Sequence, residues 1–400
     1  MTKFGYLVPQ FPGQTHIFFW REIAEMERRG AQPVLLSTTR PAAGLIAHDW
    51  SQAAMARTTY LGRLDPVAAL AALPRLPLAE ILRDARNQPP AFLRDIALAA
   101  PAARLLTRKC REQGIAHVHV HSCGRAALVA ALARRAGGPD YSLTLHGPLA
   151  DYGPGQGFKW RRARFATVIT QRLLDQLRGA LGPDLPQRVI VQPMGVNTDQ
   201  LSRDAPYRPA QPDEVLRLFT CARLNIVKGH EDLLIALRRL LDAGRRAELV
   251  IAGEDDAGGS GYRTVLEARI DALHLRDHVR LLGAVDAEEV KRQLRAAHLF
   301  VLASWEEPLG VALMEAMSCA VPVIGTNAGG VGELIADGRD GVLVPPRSPA
   351  ALAAAIAGLA DAPGRARDLA AAGRARILRR FDAGRGAETL LQEITRPDHP

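Results

Sequence analysis

Short apolar, β-branched runs recur along the whole chain, and stretches of helical periodicity separate them. That alternation restricts the fold more than any other feature. The first half holds such runs at Phe4–Val8, Val34–Ser37, His117–Val120, Ser142–Leu145, Thr167–Thr170 and Val189–Gln192. The second half holds them at Leu216–Thr220, Glu248–Ala252, Val279–Leu282, Leu299–Ala303, Val321–Ile324 and Gly341–Val344. Amphipathic segments such as Glu231–Leu241 and Val290–Ala297 lie between them. Strands joined by helical crossovers pair in parallel, and a parallel sheet is covered on both faces. Two sets of six runs predict an α/β protein of two doubly wound, Rossmann-like parallel-sheet domains.

Proline and periodicity set the expected boundaries. Residues 201–214 contain three prolines and no apolar period, so they read as an exposed linker. The first domain is expected over 1–200, with an Ala/Arg/Leu-rich helical insertion at about 62–111. The second is expected over 215–380, followed by a C-terminal helix at 381–400 that returns to the first domain. With 48% hydrophobic and 23% charged residues, the chain is neither disordered nor fibrous. Apolar runs such as Ala126–Ala133 fall short of the roughly 20 residues that span a bilayer. The first residues carry no apolar leader segment, and Cys110, Cys123, Cys221 and Cys319 have no metal-knuckle spacing. A cytoplasmic protein with reduced thiols is the expectation.

Charge is unevenly spread. Residues 1–200 carry 25 Lys and Arg against 14 Asp and Glu, a net +11, whereas 201–400 carry 26 against 28, a net −2. A one-sided basic field suits an anionic partner. Aromatics are only 5% and not interleaved with the cations, which argues against nucleic acid. Peripheral contact with the anionic inner face of the membrane stays open, through Arg104, Arg108, Lys109, Arg111, Lys159, Arg161, Arg162 and Arg164. A high arginine content without a partner explains the same numbers.

Ligands of open parallel sheets bind beyond the carboxyl ends of the strands, here expected in a cleft between the domains. Residues just after the strands are therefore the candidates. Arg223 and Lys228 follow one strand and can reach a common anion, the Arg as a planar fork and the Lys as a point charge. Glu307-Pro308-Leu309-Gly310 follows another, and Pro308 suits the first turn of a helix whose amides at Leu309 and Gly310 would face a ligand. Glu315 lies eight residues on, about 12 Å along such a helix, in an apolar setting that disfavours an idle carboxylate. Gly329 and Gly330 allow close backbone approach before the next helix. Gly13 follows the first strand, and His146 ends another. His117, His119 and His121 share one strand face, but no carboxylate or cysteine accompanies them in sequence, so no metal site is expected. Nor is Glu254-Asp255-Asp256 taken as one.

These motifs together resemble the signature of the family 4 retaining glycosyltransferases of GT-B fold. The pattern is Arg223, Lys228-Gly229, then Glu307 and Glu315, then Gly329-Gly330 and Glu333, then Gly341-Val342-Leu343-Val344. Phe11-Pro12, Arg21-Glu22-Ile23 and His117-Val118-His119 are more loosely similar to the branch that builds exopolysaccharides and colanic acid-like polymers. The resemblance implies transfer of a hexose from a nucleoside-diphosphate sugar, UDP- or GDP-linked, to a saccharide or lipid-linked saccharide acceptor, without a metal or other cofactor. It implies that Arg223 and Lys228 bind the diphosphate, with Gly13 on its other side. Glu307, Leu309 and Gly310 would hold the hexose, Glu315 the ribose, and His146 would sit beside the reacting sugar. Gly283 would lie near the base, and Gly329 and Gly330 near the donor. A GT-B epimerase or phosphorylase, or a nucleotide-sugar-binding protein without turnover, remains the alternative.

Overall fold

The computed structural model describes residues 2–13, 16–41, 50–62, 76–255 and 261–397. The chain divides into two compact units. One comprises Met1–Ile46, Trp50–Met194 and Gly386–Pro400; the other comprises Ala47–Asp49 and Gly195–Arg385.

The first unit is built on a parallel sheet of seven strands. They are β1 (Lys3–Gln10), β2 (Gln32–Thr39), β3 (Thr59–Tyr60), β4 (His117–His121), β5 (Asp140–Leu145), β6 (Ala166–Val168) and β7 (Val189–Val191), in the order β3-β2-β1-β4-β5-β6-β7. The order reverses between β1 and β4, where Gly5 pairs with Val118 and Leu7 with Val120. A Cβ on Gly5 would press on Val118 and Leu36 side chains, so the residue is small because the sheet face is covered there. Phe4, Tyr6, Phe19, Ile23 and Met26 form a core with Ala387 and Leu390 of the final helix, Ala383–Thr395. The insertion contains the helices Leu78–Ala85 and Ala91–Gln113, while residues 63–75 lie outside the described residues.

The second unit has six parallel strands: β8 (Leu216–Cys221), β9 (Ala247–Ala252), β10 (Val279–Gly283), β11 (Leu299–Leu302), β12 (Val323–Thr326) and β13 (Val342–Val344). Their order is β10-β9-β8-β11-β12-β13, with the reversal between β8 and β11. Leu218, Leu249, Ile251, Val301 and Ile324 pack against Leu233 and Leu237 of the helix His230–Asp242. Among the described residues, no helix is long and apolar enough to cross a membrane.

Two expectations need correction. Residues 201–214 do not form an exposed linker. Leu201 is buried and its carbonyl accepts from Ser318 Oγ at 2.8 Å, Arg203 donates to the carbonyls of Leu294 and Arg295, and Tyr207 donates to that of His298. The prolines mark irregular backbone, but the side chains between them anchor it on the second unit. Nor do Lys159, Arg161 and Arg164, considered above for lipid contact, stand exposed, although Arg162 does. Lys159 is buried and donates to the Tyr152 carbonyl at 2.8 Å, and burial pulls its ammonium down to about 8. Arg161 pairs with Asp84 and Asp184 at 3.0 and 2.8 Å, Arg162 with Glu80 at 3.0 Å, and Arg164 donates to C-terminal carbonyls. The excess charge of this segment is met inside the unit by acids contributed largely from the insertion.

All five residues of β4 are buried, so its three histidines find what partners they have within the core, and His117 Nδ1 and His121 Nε2 make no hydrogen bond among the described residues. Ser142 Oγ bridges His117 Nε2 and His119 Nδ1 at 2.8 and 2.7 Å. Thr144 Oγ1 meets His119 Nε2 at 2.8 Å and Thr167 Oγ1 at 2.6 Å. Burial, assisted by Arg164, pushes His117 down to about 3 from an ordinary 6.5, and burial likewise holds His119 well below that value.

The unfolded chain therefore takes up protons near pH 6.5 that the native chain refuses. The stability associated with His117 is intact above pH 6.5 and falls by about 1.4 kcal/mol per pH unit below it, until about pH 3. Denaturant unfolding at pH 7.5, 6 and 5 should show a shallower loss in His117→Gln than in the parent. Equal slopes would contradict this account of β4.

Candidate active site

The reversal between β8 and β11 brings two strand-end loops side by side in the second unit. The loop after β8 turns through a single helical turn at Ile226–Lys228, with Asn225 Oδ1 accepting from the Val227 amide at 3.1 Å. Gly229 follows with φ +65°, and a Cβ there would run into the Ala303 carbonyl at the end of β11. Only glycine permits both the left-handed backbone and that approach. The Trp305 amide donates to the Val227 carbonyl at 2.7 Å and fastens the two loops together.

This places Lys228 Nζ 2.7 Å from Glu307 Oε2, with the side chains only 16% and 12% exposed. Ser304 Oγ donates to the same carboxylate oxygen at 3.3 Å. An ammonium has three donors, so this contact leaves Lys228 capacity for phosphate oxygens. Arg223 is exposed on the preceding stretch, and its carbonyl accepts from His230 Nε2 at 3.1 Å, which fixes the backbone behind it.

The helix after Glu307 begins later than Pro308 suggests. It spans Val311–Ser318, capped by Gly310 at φ +99°. Glu307 and Glu315 therefore do not share a helix, and their eight-residue spacing is not an axial distance. Among the described residues, nothing accepts from the amides of Leu309 and Gly310. Left-handed backbone at Gly310 replaces the regular first turn that the sequence implied. Glu315 is buried to 8% exposure within the helix. Its charge adds to burial in raising two thiols: Cys221, at the end of β8, to about 12, and Cys319 to about 11.

The glycines after β12 hold the neighbouring loop. Gly329 lies at φ +60° with its Cα against the Glu307 carbonyl, and the Gly330 amide donates to that carbonyl at 2.9 Å. They clamp the backbone of Glu307, and this is a close approach of backbone to backbone. Gly283 ends β10 at φ +72°, facing Glu254. Arg263 pairs with Glu254 at 2.6 Å, and its amide donates to Asp255 Oδ2 at 3.2 Å. Asp256 lies outside the described residues. The sequence reading missed Trp305. Its indole donates to Asp232 Oδ2 at 2.6 Å, and the Arg347 guanidinium lies 4.3 Å from the ring centroid. A tryptophan directly after a strand and before Glu-Glu-Pro was the available signal.

In the first unit, Gly13 follows β1 and its carbonyl accepts from the His16 amide at 3.0 Å; residues 14 and 15 lie outside the described residues. His146 follows β5, among Phe18 and Phe19. Its Nε2 lies 3.1 Å from His121 Nδ1, and His121 Nε2 lies 3.1 Å from Glu22 Oε2. The Tyr6 hydroxyl donates to that same oxygen at 2.7 Å. Burial first, then the neighbouring His121 and His16, hold His146 well below the ordinary histidine value, so it is neutral at pH 7. Glu22 supplies the carboxylate that sequence proximity did not show, contributed by the helix Ile17–Arg28.

The chain is similar to known glycosyltransferases in sequence and in fold. Residues 23–200 match the family model described as Glycosyltransferase Family 4, and residues 206–376 match the one described as Glycosyl transferases group 1. D-inositol 3-phosphate glycosyltransferase 2 of Catenulispora acidiphila is 35% identical over 46% of this chain and 45% of its own length. Alpha-D-kanosaminyltransferase of Streptomyces kanamyceticus is 30% identical over 51% and 53%. The chain thus spans about half the length of the curated relatives it matches. A glycosyltransferase structure from Rickettsia africae superimposes with a TM-score of 0.73 at 17% identity, covering all of both chains. HepE of Anabaena in complex with UDP-glucose does so at 0.73 and 19%, covering 98% of each. At such identity the likeness establishes the fold, which is GT-B. One glycosyltransferase family model thus matches through the first half of the chain and another through the second, which makes the chain similar to both.

Proposed function

We propose that the protein transfers a hexose from a UDP- or GDP-linked donor to an acceptor hydroxyl, with retention at the anomeric carbon, in polysaccharide or glycoconjugate biosynthesis. The observation that carries this reading is the Lys228–Glu307 pair, held at the β8/β11 reversal beside two amides that find no acceptor among the described residues. A cation and unpaired amides suit diphosphate oxygens, and a carboxylate suits sugar hydroxyls. HepE, whose fold this chain shares, takes UDP-glucose, which supports a donor of this class.

The reaction breaks the bond between the anomeric carbon and the diphosphate oxygen. It leaves negative charge on the diphosphate and positive character on the sugar. Lys228 and Arg223 stabilise the leaving group where that charge develops. The acceptor oxygen bonds to the anomeric carbon on the face the diphosphate leaves, and its proton passes to the departing phosphate oxygen. Electrons and protons balance without a protein nucleophile. Glu307 and Glu315 are therefore not the acid and base of a glycosidase pair. Glu307 orients the hexose, and Glu315 holds the ribose. Gly13 contacts the diphosphate, His146 lies beside the sugar, and Gly283 lies by the base. The acceptor is a saccharide, free or lipid-linked. Of the eight cations first considered for lipid contact, Arg104, Arg108, Arg111 and Arg162 are exposed, the last paired with Glu80. The function is tested by incubating the protein with UDP- and GDP-hexoses and saccharide acceptors, then reading the anomeric configuration of the product by NMR. An inverted linkage would contradict the mechanism.

Arg223→Ala and Lys228→Ala should each lower the initial rate of transfer by about 100-fold or more, the scale of losing one donor to a developing anion. Wild-type turnover in both would remove the diphosphate assignment. Transfer should also survive exhaustive chelation, because side-chain cations serve in place of a metal. A requirement for Mn²⁺ or Mg²⁺, restored on adding the ion back, would contradict that.

A further inference from the structure

Behind His146 the first unit holds a row of polar groups that the proposed reaction does not use. Tyr6 comes from β1, Glu22 from the helix Ile17–Arg28, and His121 from β4. Glu22 is 4% exposed, and Tyr6 and His121 are fully buried. The Tyr6 hydroxyl donates to Glu22 Oε2, so that oxygen acts as an acceptor. The same oxygen faces His121 Nε2 at 3.1 Å, near enough to favour a proton on that nitrogen although the angle is not that of a linear hydrogen bond. A carboxylate opposite one ring nitrogen of a histidine sets which nitrogen carries the proton.

The consequence passes along the row. With its proton on Nε2, neutral His121 presents a lone pair at Nδ1. That lone pair lies 3.1 Å from His146 Nε2. Two lone pairs would repel and two N–H groups would collide, so His146 Nε2 must be the donor. No other group among the described residues hydrogen-bonds to the His146 ring. We propose that Glu22 and His121 are positioning residues that hold His146 as its Nε2–H tautomer, leaving His146 Nδ1 as the acceptor for a hydroxyl of the sugar substrate. The proposal rests on the reading that His146 lies beside the reacting sugar.

The charged and titratable groups around the row are Tyr6, Glu22, His119, His121 and His16, and Tyr152 interacts with the His146 backbone. The pair His119 and His121 lie with ring centroids 4.6 Å apart, and burial holds His119 neutral. A second proton on His121 would reverse the row: His121 would donate to His146, and the proton of His146 would move to Nδ1. The two arrangements differ in one observable.

The test is two-bond ¹⁵N–¹H correlation of the full chain labelled with ¹⁵N-histidine at pH 7.5, with His146 assigned from its loss in His146→Asn. The expected wild-type pattern is Nε2–H at both His121 and His146. In Glu22→Gln the His146 pattern should become a mixture of tautomers, and kcat for transfer should fall about 10-fold with KM for the donor within about twofold. A wild-type His146 protonated on Nδ1, or a pattern and rate unchanged in Glu22→Gln, overturns the proposal. Should that variant not fold, Tyr6→Phe removes only the hydroxyl that shares the carboxylate oxygen. The His121 Nε2–H resonance should then move downfield, and an unmoved resonance overturns the proposal equally. His146→Ala separates the two layers. A wild-type rate there overturns the placement of His146 beside the sugar and the use of its Nδ1, whereas the tautomer pattern alone decides whether Glu22 and His121 set it.

Discussion

The loop between β11 and the helix Val311–Ser318 is held through its backbone from two sides, and the placement of the candidate site depends on that grip. On one side Gly229 passes over the Ala303 carbonyl, and the Trp305 amide bonds to Val227. On the other, Gly329 lies against the Glu307 carbonyl, Gly330 donates to it, and the Thr326 hydroxyl donates to the Ser304 carbonyl. Left-handed backbone at 229 and 329 would be strained for any side chain, and the space for a Cβ is already taken by carbonyl groups. Lys228 and Glu307 meet at 2.7 Å because their backbones are fixed first. Side-chain attraction alone would not hold two partly exposed ions in one geometry.

The first unit solves the opposite problem. Its central strand β4 buries three histidines, and the fold supplies hydroxyls from β5 and β6 and a carboxylate from the first helix to receive them. A buried polar network is tolerable when its members find partners, and such a network also sets orientation. At His117 and His119 the result is structural. At His121 the network ends on His146, which is half-buried at the strand end, so an internal packing requirement reaches the residue proposed to lie beside the sugar.

Much of this was legible from residue order. Every apolar run read as a strand proved to be one, because parallel strands buried on both faces must be continuously apolar. The two-residue strand Thr59–Tyr60 escaped, since an edge pairing through Leu36 and Ser37 needs no apolar run. Candidate residues were sought after the strands because strand ends are where open sheets bind. What the sequence concealed was contact between distant residues. The proline-rich stretch before β8 looks exposed until Arg203 and Tyr207 are seen to anchor it. The Lys159–Arg164 cluster looks cationic until Glu80, Asp84 and Asp184 are seen to meet it. Glu22 stands 99 positions from His121, and only the β1–β4 adjacency and the helix between β1 and β2 join them. Glycines 329 and 330 stood out in sequence, but nothing in residue order shows that they approach the Glu307 carbonyl.

Lys228, on the glycine-fixed loops of the second unit, is proposed to hold the donor diphosphate. Calorimetric titration of UDP and GDP, and of the corresponding nucleosides, into the parent and Gly229→Ala tests it most directly. A Cβ at 229 displaces the loop that ends in Lys228 without removing any charge. Diphosphate affinity should fall by about 10-fold or more, as for loss of a charge-assisted hydrogen bond, while the weak affinity for nucleoside should stay within about twofold. Undiminished diphosphate binding in a folded Gly229→Ala would contradict the claim.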